Sequence, residues 1–131
     1  DATGAYHKEI LRQTADLTGR STTPLMRLQD PDFTRVLVVT LPETTPVAEA
    51  ASLQADLRRA GIEPFGWVVN GSLSASGTRH PLLARRAALE GRHLERVSEL
   101  AGRVWLAPWR AEAPVGEAGL LALSGAGSQA E

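Results

Sequence analysis

The sequence predicts an α/β fold built on a doubly wound parallel sheet, and three observations carry that reading. Residues 35–41, 65–70 and 103–107 are continuously apolar and rich in β-branched or aromatic side chains. Runs that stay apolar rather than alternating are those of strands buried on both faces by covering helices. Between them lie stretches of helical spacing, and alternating strands and helices imply right-handed parallel crossovers.

The elements follow in order. The chain starts at Asp1 rather than Met and has no signal peptide, so a piece of a longer polypeptide is expected. A helix is predicted from Ala5 to Leu17, with Tyr6, Ile10 and Leu17 on one side and Gly19 as its stop. Pro24 and Pro31 make residues 20–34 read as loop, so residues 1–34 form a helix-and-loop insert.

Residues 35–123 read as βαβαβα. The first strand ends at Pro42, after which Thr45 is placed as a cap and Pro46 at the first helical position. Val47, Ala50, Ala51, Gln54, Leu57 and Ala60 then keep helical spacing until Gly61. The second strand ends at Gly71. A helix over 81–100 carries the apolar stripe Leu82, Leu83, Ala87, Leu94, Val97 and Leu100. Its outer face pairs Arg86 with Glu90 and Arg96 with Glu99, which reads as a solvated charged surface. The third strand ends at Pro108, a short helix follows, and the Gly/Ser/Ala-rich residues 124–131 read as a frayed tail.

Composition narrows the chemistry. The 131 residues are 43% hydrophobic and 22% charged, as in a globular domain. A net charge of -1 excludes a strongly basic nucleic-acid binder, so no nucleic-acid partner is expected. Zero cysteines exclude disulfides, thiolate metal sites and a cysteine nucleophile, and weaken any reading as a metalloid binder. No apolar run approaches the roughly 18 residues of a membrane span. Lys8 is the one lysine, and no glycine precedes it in a G-x-x-x-x-G-K-[ST] phosphate loop. The G-x-G-x-x-G and G-x-S-x-G patterns are absent too. His7, His80 and His93 lie too far apart to make a metal-spaced pair, so neither catalytic nor metal-ligating residues are assigned.

Ligands of open α/β sheets sit beyond the carboxyl ends of the strands. There Asn70 follows an apolar strand. Its amide offers a donor and an acceptor, matching the N6/N7 edge of adenine. An Asn-Gly turn explains the same residue equally simply. Trp67 and Trp105 read as core. Trp109 lies in a loop, where it either covers a base or packs on the surface. Pro42 and Glu43 open a loop that serves either as a plain strand-to-helix turn or as a site wall.

At these residues the chain resembles a known family. The runs are Asp1-Ala-Thr-Gly-Ala-Tyr-His7, Thr22-Thr-Pro24, Leu28-Gln-Asp-Pro31, Val39-Thr-Leu-Pro-Glu-Thr-Thr-Pro46, Gly66-Trp67, Asn70, Ser72-Leu-Ser74 and Pro81-Leu-Leu83. They resemble the carboxyl-terminal part of the arsenical pump-driving ATPases, the ArsA family of P-loop ATPases, at the end of the second of two homologous halves. A related branch that targets tail-anchored membrane proteins has a Met-rich insertion, whereas Met26 is the one methionine here.

The resemblance implies that residues 1–131 are the C-terminal portion of a single P-loop ATPase domain. It implies a bacterial cytoplasmic enzyme, peripheral at the inner membrane, that hydrolyses ATP to drive arsenite or antimonite export through a membrane pump subunit. ATP and Mg²⁺ would be held with the remainder of the ATPase or its homologous half. The P-loop, switches and Mg²⁺ ligands would lie outside this chain, which alone is expected to be inactive. The family's adenine-contacting Asn falls on Asn70. Its base-side loop falls on Pro108 to Gly116, which marks Pro108, Trp109, Arg110 and Glu112 as nucleotide-binding. The competing reading is a stand-alone, non-catalytic interaction module on a P-loop-like scaffold.

Overall fold

The structure, a computed structural model, describes residues 4–5, 7–10, 22–126 and 128–130. The chain divides into two units, Asp1–Thr34 and Arg35–Glu131, taken separately here.

In the first unit residues 4–5 and 7–10 are helical. The remainder of the helix predicted to Leu17, with Tyr6 and Gly19, lies outside the described residues. Within the stretch predicted as loop the chain instead forms a helix, α1, Pro24–Gln29. Thr23 caps it: its Oγ1 accepts from the Met26 N–H at 3.2 Å. Pro24 sits in the first turn, where its missing N–H costs nothing. The proline read as a breaker therefore opens the helix. Asp30 ends it and accepts from the Thr34 N–H at 2.8 Å, while the Arg27 guanidinium lies 5.2 Å over the Phe33 ring.

The second unit runs β1 (Leu37–Thr40), α2 (Thr44–Arg59), β2 (Gly66–Ser72), α3 (Leu73–Ser76), α4 (Pro81–Leu100), β3 (Val104–Pro108), α5 (Gly116–Ala126) and β4 (Ser128–Ala130). The sheet order is β1-β2-β3-β4. The first three strands are parallel, with Val38 beside Trp67 and Trp67 beside Val104. This is the α/β architecture expected, consistent with part of a P-loop-type fold. Strand β4 pairs antiparallel with β3 and was not anticipated. Within the tail predicted to fray, residues 124–126 continue α5 and residues 128–130 form β4, while residues 127 and 131 lie outside the described residues.

Val38, Val47, Ala50, Trp67, Val69, Val97 and Val104 form the core. Trp67 is fully buried, as predicted; Trp105 is half-buried, its ring stacked 5.9 Å from Phe65. The Arg35 and Arg103 guanidiniums lie 4.5 and 4.3 Å from the same Phe65 ring, at the amino ends of the strands. Gly66 is required beneath this stack, because a Cβ there would overlap the Trp105 ring.

Four expectations need correction. Strand β1 is not buried on both faces: Val38 and Thr40 are buried, but Leu37 and Val39 are 47% and 61% exposed. Within this unit helices cover one side of β1 and leave the other open. Helix α2 begins at Thr44 and is flanked by Glu43, which makes no side-chain cap bond, so Thr45 is not the cap and Pro46 is the third helical residue. On α4 the stripe holds at Val97, Leu94 and Leu100, but Leu82 is 64% exposed. Arg96 and Glu99 pair as predicted, at 3.2 Å. Arg86 and Glu90 do not, because Glu90 turns inward and is only 5% exposed.

Candidate functional site

The carboxyl end of β2 gathers a network of buried polar groups. Asn70 is exposed, Gly71 takes a left-handed φ of 70°, and Ser72 is fully buried. The register against β3 shifts between Val69 and Ser72, so Gly71 supplies the bulge. The predicted Asn-Gly turn is therefore a bulge inside the strand, which runs on to Ser72 rather than stopping at Asn70.

Ser72 joins three elements. Its Oγ caps α3 by accepting from the Ala75 N–H at 3.2 Å. Its carbonyl accepts from the Trp109 N–H at 2.8 Å, which fixes the start of the loop after β3. Its Oγ also donates to Glu90 Oε2 of α4 at 3.0 Å. Glu90 receives three more bonds, from the Leu73 N–H at 2.7 Å, the Ser74 N–H at 3.3 Å and the Ser74 Oγ at 2.8 Å. Three donors converge on Oε2 and one reaches Oε1, so both carboxylate oxygens are hydrogen-bonded. That network explains why a charged residue is buried without an ion pair.

Two cavities open around the strand ends. One, about 420 Å³, is lined by Pro42, Glu43, Gly71, Glu90, His93 and Trp109 among others, with Arg86 and Arg92 of α4 on its wall. The other, about 450 Å³, is lined by Val39, Leu41, Pro46, Leu53 and Asn70. Leu41 belongs to both. Asn70 and Trp109, singled out together from the sequence, thus border adjacent cavities rather than one. Pro108 is the last residue of β3, opposite Ser72. Trp109 is 45% exposed at a cavity wall. Arg110 reaches away from both, donating through Nη2 to the Ala122 carbonyl of α5 at 3.0 Å. Its Nε is buried and unpartnered among the described residues. Glu112 is exposed in the loop.

Sequence reasoning missed Glu90, although a signal was present. Leu83, Ala87, Glu90, Leu94 and Val97 share one helical face at three- and four-residue spacing. A carboxylate on an apolar stripe, facing a Ser-x-Ser strand end, announces a buried acceptor. Among the described residues no group of three or more His, Asp or Glu side chains is placed to hold a metal ion.

The same strand-end residues stand inside a match to characterised proteins. The chain is 57% identical over 117 residues to an arsenical pump-driving ATPase of Acidiphilium multivorum, covering 88% of this chain and 20% of that protein. It is 56% identical over 126 residues to an arsenical pump-driving ATPase of Escherichia coli, covering 95% of this chain and 21% of that protein. A second Escherichia coli protein of that name is 55% identical over 117 residues. Over nearly its whole length the chain resembles the arsenical pump-driving ATPases. It spans about a fifth of the length of the arsenical pump-driving ATPases it matches. No family model matches it. Among its described residues no helix is long and apolar enough to cross a membrane.

Proposed function

We propose that this chain is the base-binding, sheet-completing segment of an ATPase that hydrolyses ATP to drive arsenite or antimonite export through a membrane pump subunit. The observation that carries the reading is Asn70, exposed at the carboxyl end of a parallel strand beside a cavity of about 450 Å³. Its amide oxygen accepts from adenine N6 and its amide N–H donates to N7. Guanine presents only acceptors on that edge, so the pairing selects adenine. Trp109 borders the neighbouring cavity, and Pro108 ends the strand just before it. Arg110 ties the loop to α5 through its bond to the Ala122 carbonyl, and Glu112 lies exposed in the same loop.

Phosphoryl transfer needs a phosphate cradle, Mg²⁺ ligands and a positioned water. The residues of this chain fit the base and not the metal, so Mg²⁺ and the triphosphate are held by the remainder of the ATPase or its homologous half. The enzyme acts in the cytoplasm, peripheral to the inner membrane where the pump sits. A second reading, a non-catalytic interaction module, draws on the exposed apolar side of β1 at Leu37 and Val39.

The test compares ATP and GTP affinity for wild type, Asn70→Ala and Asn70→Asp in the ATPase carrying this segment. A bidentate contact worth about 1–3 kcal/mol predicts roughly ten-fold weaker ATP binding in Asn70→Ala and a narrowed preference over GTP. Asn70→Asp is weaker still, since a carboxylate cannot donate to N7. An unchanged ATP/GTP ratio with lowered stability makes Asn70 a strand-end residue only. Phosphate release by the 131-residue chain alone stays at background; turnover there would show that the chain holds its own phosphate site.

A further inference from the structure

We propose that Glu90 is a positioning residue that fixes the spacing between Asn70 and Trp109 at the strand ends. Resting on the base-site reading above, this assigns to α4 the control of the site's geometry. The argument begins with the donors. The chain leaves β2 through Ser72-Leu73-Ser74 and turns at once into the four-residue helix α3. So short a helix cannot satisfy its own first N–H groups. The Leu73 and Ser74 N–H groups point to Glu90 instead, at 2.7 and 3.3 Å. The Ser72 and Ser74 hydroxyls complete the set at 3.0 and 2.8 Å.

Held this way, Ser72 has one orientation. Its carbonyl is then aimed at the Trp109 N–H, 2.8 Å away. Asn70 lies two residues upstream across the Gly71 bulge, so its direction follows from the same anchor. One carboxylate on one helix thus sets both candidate walls, although it touches neither. The left-handed Gly71 makes this anchor necessary. A strand interrupted by a glycine bulge loses the regular ladder that would otherwise fix its end.

The experiment reads amide hydrogen exchange in the 131-residue chain for wild type, Glu90→Gln and the milder Ser72→Ala. Glutamine keeps the size but replaces one acceptor oxygen with a donor, which then faces another donor. The Leu73, Ser74 and Trp109 amides are expected to exchange about ten-fold faster or more in Glu90→Gln, through local opening. The Trp67 amide, bonded to the Arg103 carbonyl in the core, keeps its protection. Ser72→Ala gives the same pattern more weakly at Trp109, because it loses one donor arm to Glu90 and the cap on the Ala75 N–H but keeps the carbonyl that Trp109 uses. If Trp67 accelerates in step with Trp109, or Trp109 does not respond, Glu90 merely stabilises the fold and the proposal is wrong. A second readout is the ATP-over-GTP preference of the ATPase carrying Glu90→Gln. A narrowed preference supports the proposal at the site. An unchanged preference with a mobile Trp109 overturns the base-site reading while leaving the mechanical role of Glu90 intact.

Discussion

The indole N–H of Trp67 donates to Gln54 Oε1 at 2.8 Å, and the Gln54 amide in turn donates to the Leu100 carbonyl at 2.8 Å. One buried side chain therefore ties β2 to the middle of α2 and the end of α4. The bridge satisfies a core indole and a helix-terminal carbonyl that would otherwise be orphaned.

Gln54→Leu leaves both partners unpaired in the core. At about 1–3 kcal/mol per stranded group, the expected loss for the two is roughly 2–6 kcal/mol. Urea unfolding measures it, and a leucine variant as stable as wild type would show that the bridge is incidental.

Two glycines should respond oppositely to alanine. At Gly66 a Cβ overlaps the Trp105 ring and comes within 2.9 Å of the Arg103 carbonyl oxygen, so Gly66→Ala should cost about 1–3 kcal/mol or more. Gly91 lies inside α4 with open space around it, so Gly91→Ala should gain about 0.5–1 kcal/mol. Paired melting curves check both, and equal shifts would contradict the packing described at Gly66.

Arg58 grips Glu63 with Nε at 2.9 Å and Nη2 at 2.7 Å. The hydrogen bond from Arg58, followed by its charge, holds the Glu63 carboxyl below its ordinary value. A carboxylate depressed on folding contributes stability above its unfolded pKa and loses it as pH falls through its folded pKa. Glu63→Gln should thus melt slightly lower than wild type at neutral pH. The gap should close in acid and also in high salt, since the pair is exposed. A gap that persists in acid would assign the effect to something other than this pair.

Leu37 and Val39 give β1 an exposed apolar side next to an edge that no described strand pairs. Such surfaces self-associate. Sedimentation of the wild-type chain should show concentration-dependent association, and Val39→Lys should weaken it. A wild-type chain that stays monomeric at high concentration would remove this expectation.

The order of strands and helices from residue 35 onward was legible because both signals are strong there: continuous apolar runs for strands and a long periodic pattern for α4. Helix α1 was not, since Pro24 reads alike as a breaker and as a first-turn residue, and only the Thr23 cap decides between them. The half-open β1 escaped because an apolar run states what a strand is able to bury, not whether a neighbour covers it. Strand β4 has three residues in a small-residue tail, too short for any periodicity to appear. The exposed position of Asn70 near a strand end was legible from the apolar run before it. Its separation from Trp109 was not, because the Gly71 bulge sets which cavity each borders, and a bulge leaves only an ambiguous Asn-Gly pair in the sequence. Glu90 was misplaced because its Arg86 neighbour at helical spacing suggested a surface pair.

The three tryptophans occupy three unlike surroundings. Trp67 is sealed and hydrogen-bonded, Trp105 is half-buried against Phe65 at the amino end of the sheet, and Trp109 is 45% exposed at the carboxyl end. The protein therefore carries its own optical probes along the strand axis. Keeping one indole and converting the other two to phenylalanine yields, in turn, a reporter of the core, of the cationic stack and of the exposed cavity rim. Emission colour and iodide quenching then distinguish events at the rim from loosening of the whole molecule without any added dye.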